Sequence, residues 1–341
     1  MSSIQTRKKQ HVEIIKNNPV EPFDSSFDYF RLPYKAIPEI DMKKIRTEVK
    51  FWNKSLSFPF MISSMTGGEK YGKQINTNIA IAAESEKVAI GLGSMRILDR
   101  HPEALPTFDV KRYCPSIPLF ANIGIVQLNY GFDYDKIQRL IDMIKADGIF
   151  FHINHLQEAI QPEGDTNFES LILKLEKVIK KLQIPVVVKE TGHGIDKESA
   201  HRLKEIGINW IDVSGTGGTS WAWVESYRSR QTNFGQIFKY EGIPTAECLL
   251  NLNNLDLNLI AGGGIRNGLH IAKSIAMGAQ LATAAKPFMD AALESETAVI
   301  GLLQRYKKEL IVAMFASGSA NIESLKKCTV EKIDPYTNLK I

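Results

Sequence analysis

Eight times along this chain a short run of apolar, β-branched residues is followed by a stretch with helical spacing, and that repetition most constrains the fold. The runs begin near Phe58 (FPFMISS), Val88 (VAIGLGS), Ile117 (IPLFANIG), Gly148 (GIFFHIN), Pro185 (PVVVKE), Asn209 (NWIDVSG), Asn258 (NLIAGGG) and Ala279 (AQLATAA). Near-continuous apolar runs are how buried parallel strands read, because crossover helices cover both faces of such a sheet. Residues 134–146, 168–182, 197–206 and 268–277 place apolar side chains three and four apart, as amphipathic helices do. A doubly wound open sheet would show the same alternation, but a count of eight favours a closed α/β architecture, the (β/α)8 TIM barrel. The 341 residues are expected to make one barrel domain. Outside the repeat stand an N-terminal extension (residues 1–57), a loop rich in Gly, Ser, Thr and aromatics (214–240), and a C-terminal helical tail after about residue 305.

Composition narrows the function classes. An apolar fraction of 44% and a charged fraction of 23% are ordinary for a globular chain, and the net charge of +4 is scattered, which argues against nucleic acid while leaving a small anion open. The N-terminus is polar and basic, and no run of about 18 uncharged apolar residues occurs, so a cytoplasmic protein without a membrane partner is expected. Cys114, Cys248 and Cys328 lie far apart with no CxxC spacing and read as reduced bystanders.

In a TIM barrel the working residues come from the C-terminal ends of the strands and the loops after them. That rule gathers Ser63, Ser64 and Thr66; Ser94 and Arg96; Asn122; His152 and Asn154; Lys189; and Ser214, Thr216 and Thr219 into one expected pocket. Gly262-Gly263-Gly264-Ile265-Arg266 closes the seventh run ahead of a helix, where backbone N–H groups can approach an anion with no Cβ in the way. Ala284-Ala285-Lys286, after the eighth run, supplies the other half of a phosphate cradle; a plain tight turn is the alternative. Met65-Thr66-Gly67-Gly68 offers backbone that could lie against a flat ring system, and Lys189 would bring a cation to the barrel mouth unless Glu190 or another carboxylate engages it. The Gly-rich run from Asp212 to Trp221 suits a ribityl chain or a phosphate, or else a flexible surface loop.

His152-Ile153-Asn154-His155-Leu156-Gln157-Glu158 reads as a polar loop after the fourth run. Glu158 could hold Mg²⁺, a hard ion that commonly takes one or two carboxylates and completes its shell with substrate phosphates and water. Gln157 has no accessible pKa, so it can donate and accept hydrogen bonds but cannot move a proton on its own. Arg7-Lys8-Lys9-Gln10-His11, taken alone, reads as a solvated basic tail.

Taken together, Arg7-Lys8-x-x-His11, the Met-Thr-Gly-Gly turn, Gly93-Ser94-Met95-Arg96, Asn122-Ile123-Gly124, His152-x-Asn154-x-x-Gln157-Glu158-Ala159, Gln161-Pro162-x-Gly164-Asp165, Val188-Lys189-Glu190 and Ser-Gly-Thr-Gly-Gly-Thr-Ser-Trp resemble the type 2 isopentenyl diphosphate isomerases, in order and spacing. The resemblance implies an FMN-dependent, Mg²⁺-requiring enzyme that interconverts isopentenyl and dimethylallyl diphosphate, with the flavin reduced, NADPH as its reductant, and a homo-oligomer (tetramer or octamer). By position it puts Met65, Thr66, Gly67, Ser94, Asn122, Lys189, Ser214 and Thr219 around the flavin, and Gly264, Ile265, Arg266, Ala285 and Lys286 at its phosphate. Arg7, Lys8, Ser94, Met95, Arg96, His152, Asn154 and Gln157 would surround the substrate, Glu158 would ligate Mg²⁺, and residues 1–57 would contribute the clamp on the diphosphate. The chain departs from the family at His155, where proline is expected, and at Met95, where glutamine is frequent.

The implied chemistry protonates an alkene and removes a neighbouring proton. No carboxylic acid among the expected pocket residues has a clear claim to that work, so reduced FMN is expected to be the acid and base, with Lys189 stabilising its anionic form. An FMN-dependent oxidoreductase of the 2-hydroxy acid oxidase type and a non-catalytic flavin-binding protein are the competing readings.

Overall fold

The computed structural model describes residues 3–68, 70–228 and 234–340. Eight parallel strands close into a barrel: β1 (Phe60–Ile62), β2 (Ala89–Gly91), β3 (Leu119–Gly124), β4 (Gly148–Ile153), β5 (Val186–Glu190), β6 (Trp210–Asp212), β7 (Asn258–Ala261) and β8 (Ala279–Ala284). Each pairs with the next, and β8 returns to β1 through Ala282↔Phe60, Thr283↔Met61 and Ala284↔Ile62, so no edge is left unpaired. All eight expected strands are present, each within two residues of its expected start.

The period of two along each strand sorts the interior into layers. Met61, Ala89, Phe120, Phe150, Val187, Ile260 and Leu281 form one apolar cluster inside the barrel, while their neighbours Phe60, Ile62, Ala121, Ile149, Val188 and Leu259 face the surrounding helices. Two residues further along the same inward rows stand Ser63, Asn122, His152, Lys189, Gly262 and Thr283. The barrel lumen thus changes from apolar to polar within one pleat repeat, just below its C-terminal rim.

The outer helices follow the amphipathic stretches: α2 (Lys70–Glu86), α3 (Tyr134–Ile144), α5 (Leu171–Ile179), α6 (Lys197–Glu205), α9 (Thr245–Leu252), α10 (Gly268–Ala276) and α11 (Lys286–Glu294). Side-chain N-caps start several of them, Asp133 on the Lys136 N–H, Asp196 on Ser199 and Asn267 on His270. The alternation is not uniform, however. Between β2 and β3 the chain makes three short 3₁₀ turns, Met95–Asp99, Pro102–Thr107 and Lys111–Tyr113, where Pro102 and Pro106 interrupt any longer helix.

Three expectations outside the repeat change. The N-terminal extension is structured, with a helix α1 (Ser3–Asn17) and a hairpin of Val49–Phe51 against Lys54–Leu56. The hairpin plugs the bottom of the barrel, where Phe51 joins the inner apolar cluster and Trp52 packs on Phe120 and Trp210 at ring separations of 5.3 and 4.7 Å. Much of the expected loop at 214–240 is helical, α7 (Trp221–Arg228) and α8 (Phe234–Ile237), while residues 229–233 of it lie outside the described residues. The tail begins earlier, with α12 (Glu296–Ala316), and after α13 (Ile322–Leu325) it ends partly as strand, Glu331–Lys332 pairing antiparallel with Phe30–Arg31. No helix among the described residues is long and apolar enough to cross a membrane.

Phe51 is 1% exposed and closes the floor from outside the β/α repeat. Phe51→Ala should therefore cost about 3–5 kcal/mol of stability, read as a lowered urea midpoint at unchanged slope; a loss below about 1 kcal/mol would show that the barrel does not rely on this plug.

Candidate functional site at the barrel mouth

One cleft opens at the C-terminal rim, with about 1670 Å³ of empty space counted out to its mouth. Its floor is the polar layer. Strand pairing sets His152 beside Lys189 and Lys189 beside Asp212, so the three lie in adjacent rows of the ring. His152 Nδ1 lies 2.8 Å from Asn122 Oδ1, and since the amide oxygen can only accept, Nδ1 carries the hydrogen. Burial, reinforced by the positive charges of Lys189, Lys8 and Arg96, pushes the His152 imidazole down to about 3. The ring is neutral at ordinary pH.

Lys189 is the penultimate residue of β5, with its Nζ donating to the Glu190 carbonyl at 2.6 Å and lying 3.5 Å from Ser214 Oγ and 3.8 Å from Asp212 Oδ2. The carboxylate that engages it is thus Asp212. Glu190 turns away and accepts the backbone N–H groups of Thr191, Gly192 and His193. Burial raises the Asp212 carboxyl even against Lys189 and the Ser214 hydroxyl.

The glycine run forms the far wall. A Cβ at Gly262 would fall 2.3 Å from Ser214 Oγ, and one at Gly263 would fall 2.0 Å from the Gly215 carbonyl. Gly263 and Gly264 also have φ of +91° and +78°, a region L side chains rarely enter. No other residue fits this wall. Arg266 follows, while Ala285 and Lys286 open α11 across the gap, so one helix N-terminus and two cations border the same end of the cleft.

The near wall comes from α1 and α7. Lys8 donates from Nζ to the carbonyls of Gly67 and Ser94, both at 2.7 Å, which lays α1 across the mouth. His11 Nε2 meets Glu225 Oε1 at 2.8 Å, and Gln157 Nε2 donates to the same oxygen at 3.0 Å. Arg228 Nη1 holds the other Glu225 oxygen at 2.6 Å and its Nη2 reaches Glu163 at the same distance. Burial alone would raise Glu225, but the hydrogen bonds from His11 and Gln157 and the Arg228 charge hold the carboxyl below its usual range. Burial also lowers the His11 imidazole, so a neutral ring donates its Nε2–H to a carboxylate.

Gln157 and Glu158 stand on a short helix, α4 (His155–Ile160), and not in a loop. Glu158 accepts from Asn154 Nδ2 at 2.8 Å, Gln161 Nε2 at 3.2 Å and the Asp165 N–H at 2.8 Å, and burial raises its carboxyl. Arg96 pairs with Asp165, which also accepts from Gln127. Among the described residues no three His, Cys, Asp or Glu side chains form a group fit to hold a metal by themselves.

The cleft brings together Arg7, Lys8, Ser94, Arg96, His152, Asn154, Gln157, Glu158, Met65, Thr66, Asn122, Lys189, Ser214, Thr219, Gly264, Ile265, Arg266, Ala285 and Lys286. Three expected residues do not line it. Met95 is wholly buried in the core between barrel and helices. Gly67 packs where a Cβ would meet the Phe108 ring at 2.2 Å, and it contributes only its carbonyl to Lys8. Thr216 bridges in parallel to Pro244 behind the wall. One carboxylate that the motifs do not name stands behind the cleft wall: Glu225, which is fully buried and bonded to Gln157. Its signal was there in the helical spacing from Trp221 through Glu225 to Arg228, hidden behind the glycine-rich run. Cys114 and Cys248 take no part in the cleft, and burial pushes both thiols up to about 12.

Comparison with known proteins follows the same lines. The family model described as FMN-dependent dehydrogenase matches residues 152–332. An isopentenyl-diphosphate delta-isomerase of Nostoc sp. is 41% identical over 329 residues, covering 94% of each chain, and that of Rickettsia bellii is 42% identical over 327 residues, covering 94% of this chain and 96% of its own. Among solved structures, one described as a lactate oxidase of Pediococcus acidilactici superposes with a TM-score of 0.66 at 17% identity, over 98% of this chain and 95% of that one, a likeness of fold alone. The chain therefore belongs to the isopentenyl-diphosphate delta-isomerases, built on the barrel of the FMN-dependent dehydrogenase family.

Proposed function

We propose that this protein interconverts isopentenyl diphosphate and dimethylallyl diphosphate, with FMN held in the barrel mouth. The observation that carries the reading is two anion sites in one cleft: a glycine-walled cradle between the segments that follow β7 and β8, and a cationic group of Arg7 and Lys8 on α1 with Arg96. A phosphorylated cofactor and a diphosphate substrate match that pair. The residues also fit a flavin's polar edge, since Ser64 Oγ, Thr66 Oγ1 and Thr283 Oγ1 are buried along the cleft without a hydrogen-bond partner among the described residues.

Met65, Thr66, Ser94, Asn122, Lys189, Ser214 and Thr219 would hold the ring and ribityl chain, and Gly264, Ile265, Arg266, Ala285 and Lys286 the phosphate. When bound and reduced, FMN supplies the proton donor and acceptor. The protein's own groups set the stage. Arg7, Lys8 and Arg96 offset the diphosphate charge, and Val12 and Ile15 of α1 give the mouth an apolar wall for the hydrocarbon and against water. Lys189 places a cation at the floor. Neutral His152 offers a hydrogen bond and no acid proton.

Gln157 is held at both ends of its amide, Nε2 donating to the Glu225 carboxylate and Oε1 accepting from Asn154 Nδ2 at 3.3 Å, so the group is fixed in the cleft lining. Mg²⁺ would reach the protein through Glu158, with the diphosphate and water completing its shell. NADPH as the reductant of FMN and a homo-oligomer rest on the family resemblance of the motifs, and a cytoplasmic location on the polar N-terminus and the absence of a long apolar run.

The direct test incubates dithionite-reduced protein with FMN, isopentenyl diphosphate and Mg²⁺ and follows the product by NMR. Dimethylallyl diphosphate is expected; oxygen consumption with a 2-hydroxy acid in its place would support an oxidase. Gln157→Ala and Glu225→Gln should each lower kcat by about 10- to 100-fold with little change in KM, because both loosen the same amide; unchanged turnover in either would remove this pair from the mechanism.

The His152 value lies below that of an unfolded histidine, so the unfolded chain binds the extra proton and stability falls as pH drops from about 6.5 toward 3. His152→Gln should flatten that fall by at most about 1.4 kcal/mol per pH unit, read from urea midpoints at pH 7 and pH 5. Parallel curves for the two proteins would mean that His152 takes up its proton alike in the folded and unfolded chains.

A further inference from the structure

Between α1 and the barrel, residues 18–28 run as a strap along the cradle, and they carry a carboxylate to it. Glu21 pairs through Oε1 with the Arg266 guanidinium, and its Oε2 lies 3.3 Å from Lys286 Nζ. Arg266 follows β7 and Lys286 follows β8, so one side chain joins both arms of the cradle, as a bound phosphate would.

Glu21 is not on a loose segment. The Pro19 carbonyl accepts from Tyr227 Oη at 3.2 Å and the Val20 carbonyl from the Ser220 N–H at 2.8 Å, while the Val20 side chain is 1% exposed. On the other side Ser26 Oγ accepts from the Ala246 N–H at 3.1 Å, the Phe27 carbonyl accepts from Lys273 Nζ at 2.9 Å, and Asp28 faces His270 Nε2 at 3.0 Å. Backbone anchors at both ends therefore keep the carboxylate at high effective concentration beside the two cations. The ion pairs themselves are open to water, with side-chain exposures of 25% for Glu21, 30% for Arg266 and 32% for Lys286, so they are weak enough to be rearranged by a stronger anion.

We infer that Glu21 is a built-in counter-ion of the phosphate cradle, one that opposes the cofactor phosphate for Arg266 and Lys286 and so limits how strongly the protein selects a phosphorylated flavin over an unphosphorylated one. This rests on the reading of the cradle as the FMN phosphate site. With Glu21 in place the two side chains present one net positive charge to the incoming dianion, and without it they present two. The glycine wall and the α11 N-terminus are untouched by the change. The strap thus has two roles: it ties α1 to the barrel, and it sets the charge of the cofactor site.

The test titrates cofactor-free protein with FMN and, separately, with riboflavin, following flavin fluorescence. Glu21→Gln should bind FMN about fivefold more tightly than the unchanged protein at low salt, with the gain shrinking as salt rises and with riboflavin binding unaltered. Asp24→Asn removes an exposed acid from the same strap and should leave both constants as they were. Unchanged or weaker FMN binding in Glu21→Gln overturns the inference, as does an equal tightening of riboflavin or an equal gain in Asp24→Asn. If the unchanged protein fails to prefer FMN to riboflavin, the cradle reading itself falls and takes this inference with it; a preference that ignores Glu21 sinks the inference alone. Matching thermal melts of the three proteins exclude a folding effect.

Discussion

The hydrogen bonds between β8 and β1 close the sheet, and the rest of the molecule follows from that ring. Once it is closed with every strand parallel, all the strand ends of one polarity share a rim, and side chains far apart in sequence are forced into one layer. Lys189 meets Asp212 across 23 residues because neighbouring strands place them level, and Asn122 meets His152 across 30 because their strands are adjacent with an offset of two residues. The apolar layer beneath, from Met61 round to Leu281, is what makes the layer above dry and its electrostatics strong. A neutral His152 and a raised Asp212 are consequences of that dryness.

On this ring the chain builds walls of opposite kind. The β7–β8 side is backbone and glycine, suited to an anion that must come close. The α1 side is made of long polar side chains: His11, Gln157 and Arg228 gather on Glu225, while Lys8 reaches the Gly67 and Ser94 carbonyls. The first is shaped by steric exclusion and needs no partner to hold its form. The second is held by charge and hydrogen bonding across elements that are distant in sequence.

The N-terminal extension, residues 1–57, would look dispensable from the repeat alone, yet it does three separate jobs. Its hairpin fills the barrel floor with Phe51, its helix covers the mouth through Lys8, and its strap brings Glu21 to the cradle. A (β/α)8 unit leaves both ends of its lumen open to whatever the sequence adds, and here a single extension is threaded past both.

What the residues determined by themselves is the part governed by local periodicity and by chemistry that tolerates no substitute. Eight apolar runs set eight strands, and three consecutive glycines before Arg266 set a side-chain-free wall, because both are short-range facts about backbone and Cβ. The motif order likewise placed Lys189, His152 and Gln157 at one rim. Other outcomes were decided only in three dimensions. Met95 went to the core and Thr216 behind the wall because helix packing and a bridge to Pro244 set their directions, which spacing does not encode. Glu225 became a site residue because α7 packs on α4, and Glu21 reached the cradle because the strap is pinned on both sides of it. A carboxylate's partners depend on which surfaces meet, and that is settled by tertiary packing alone.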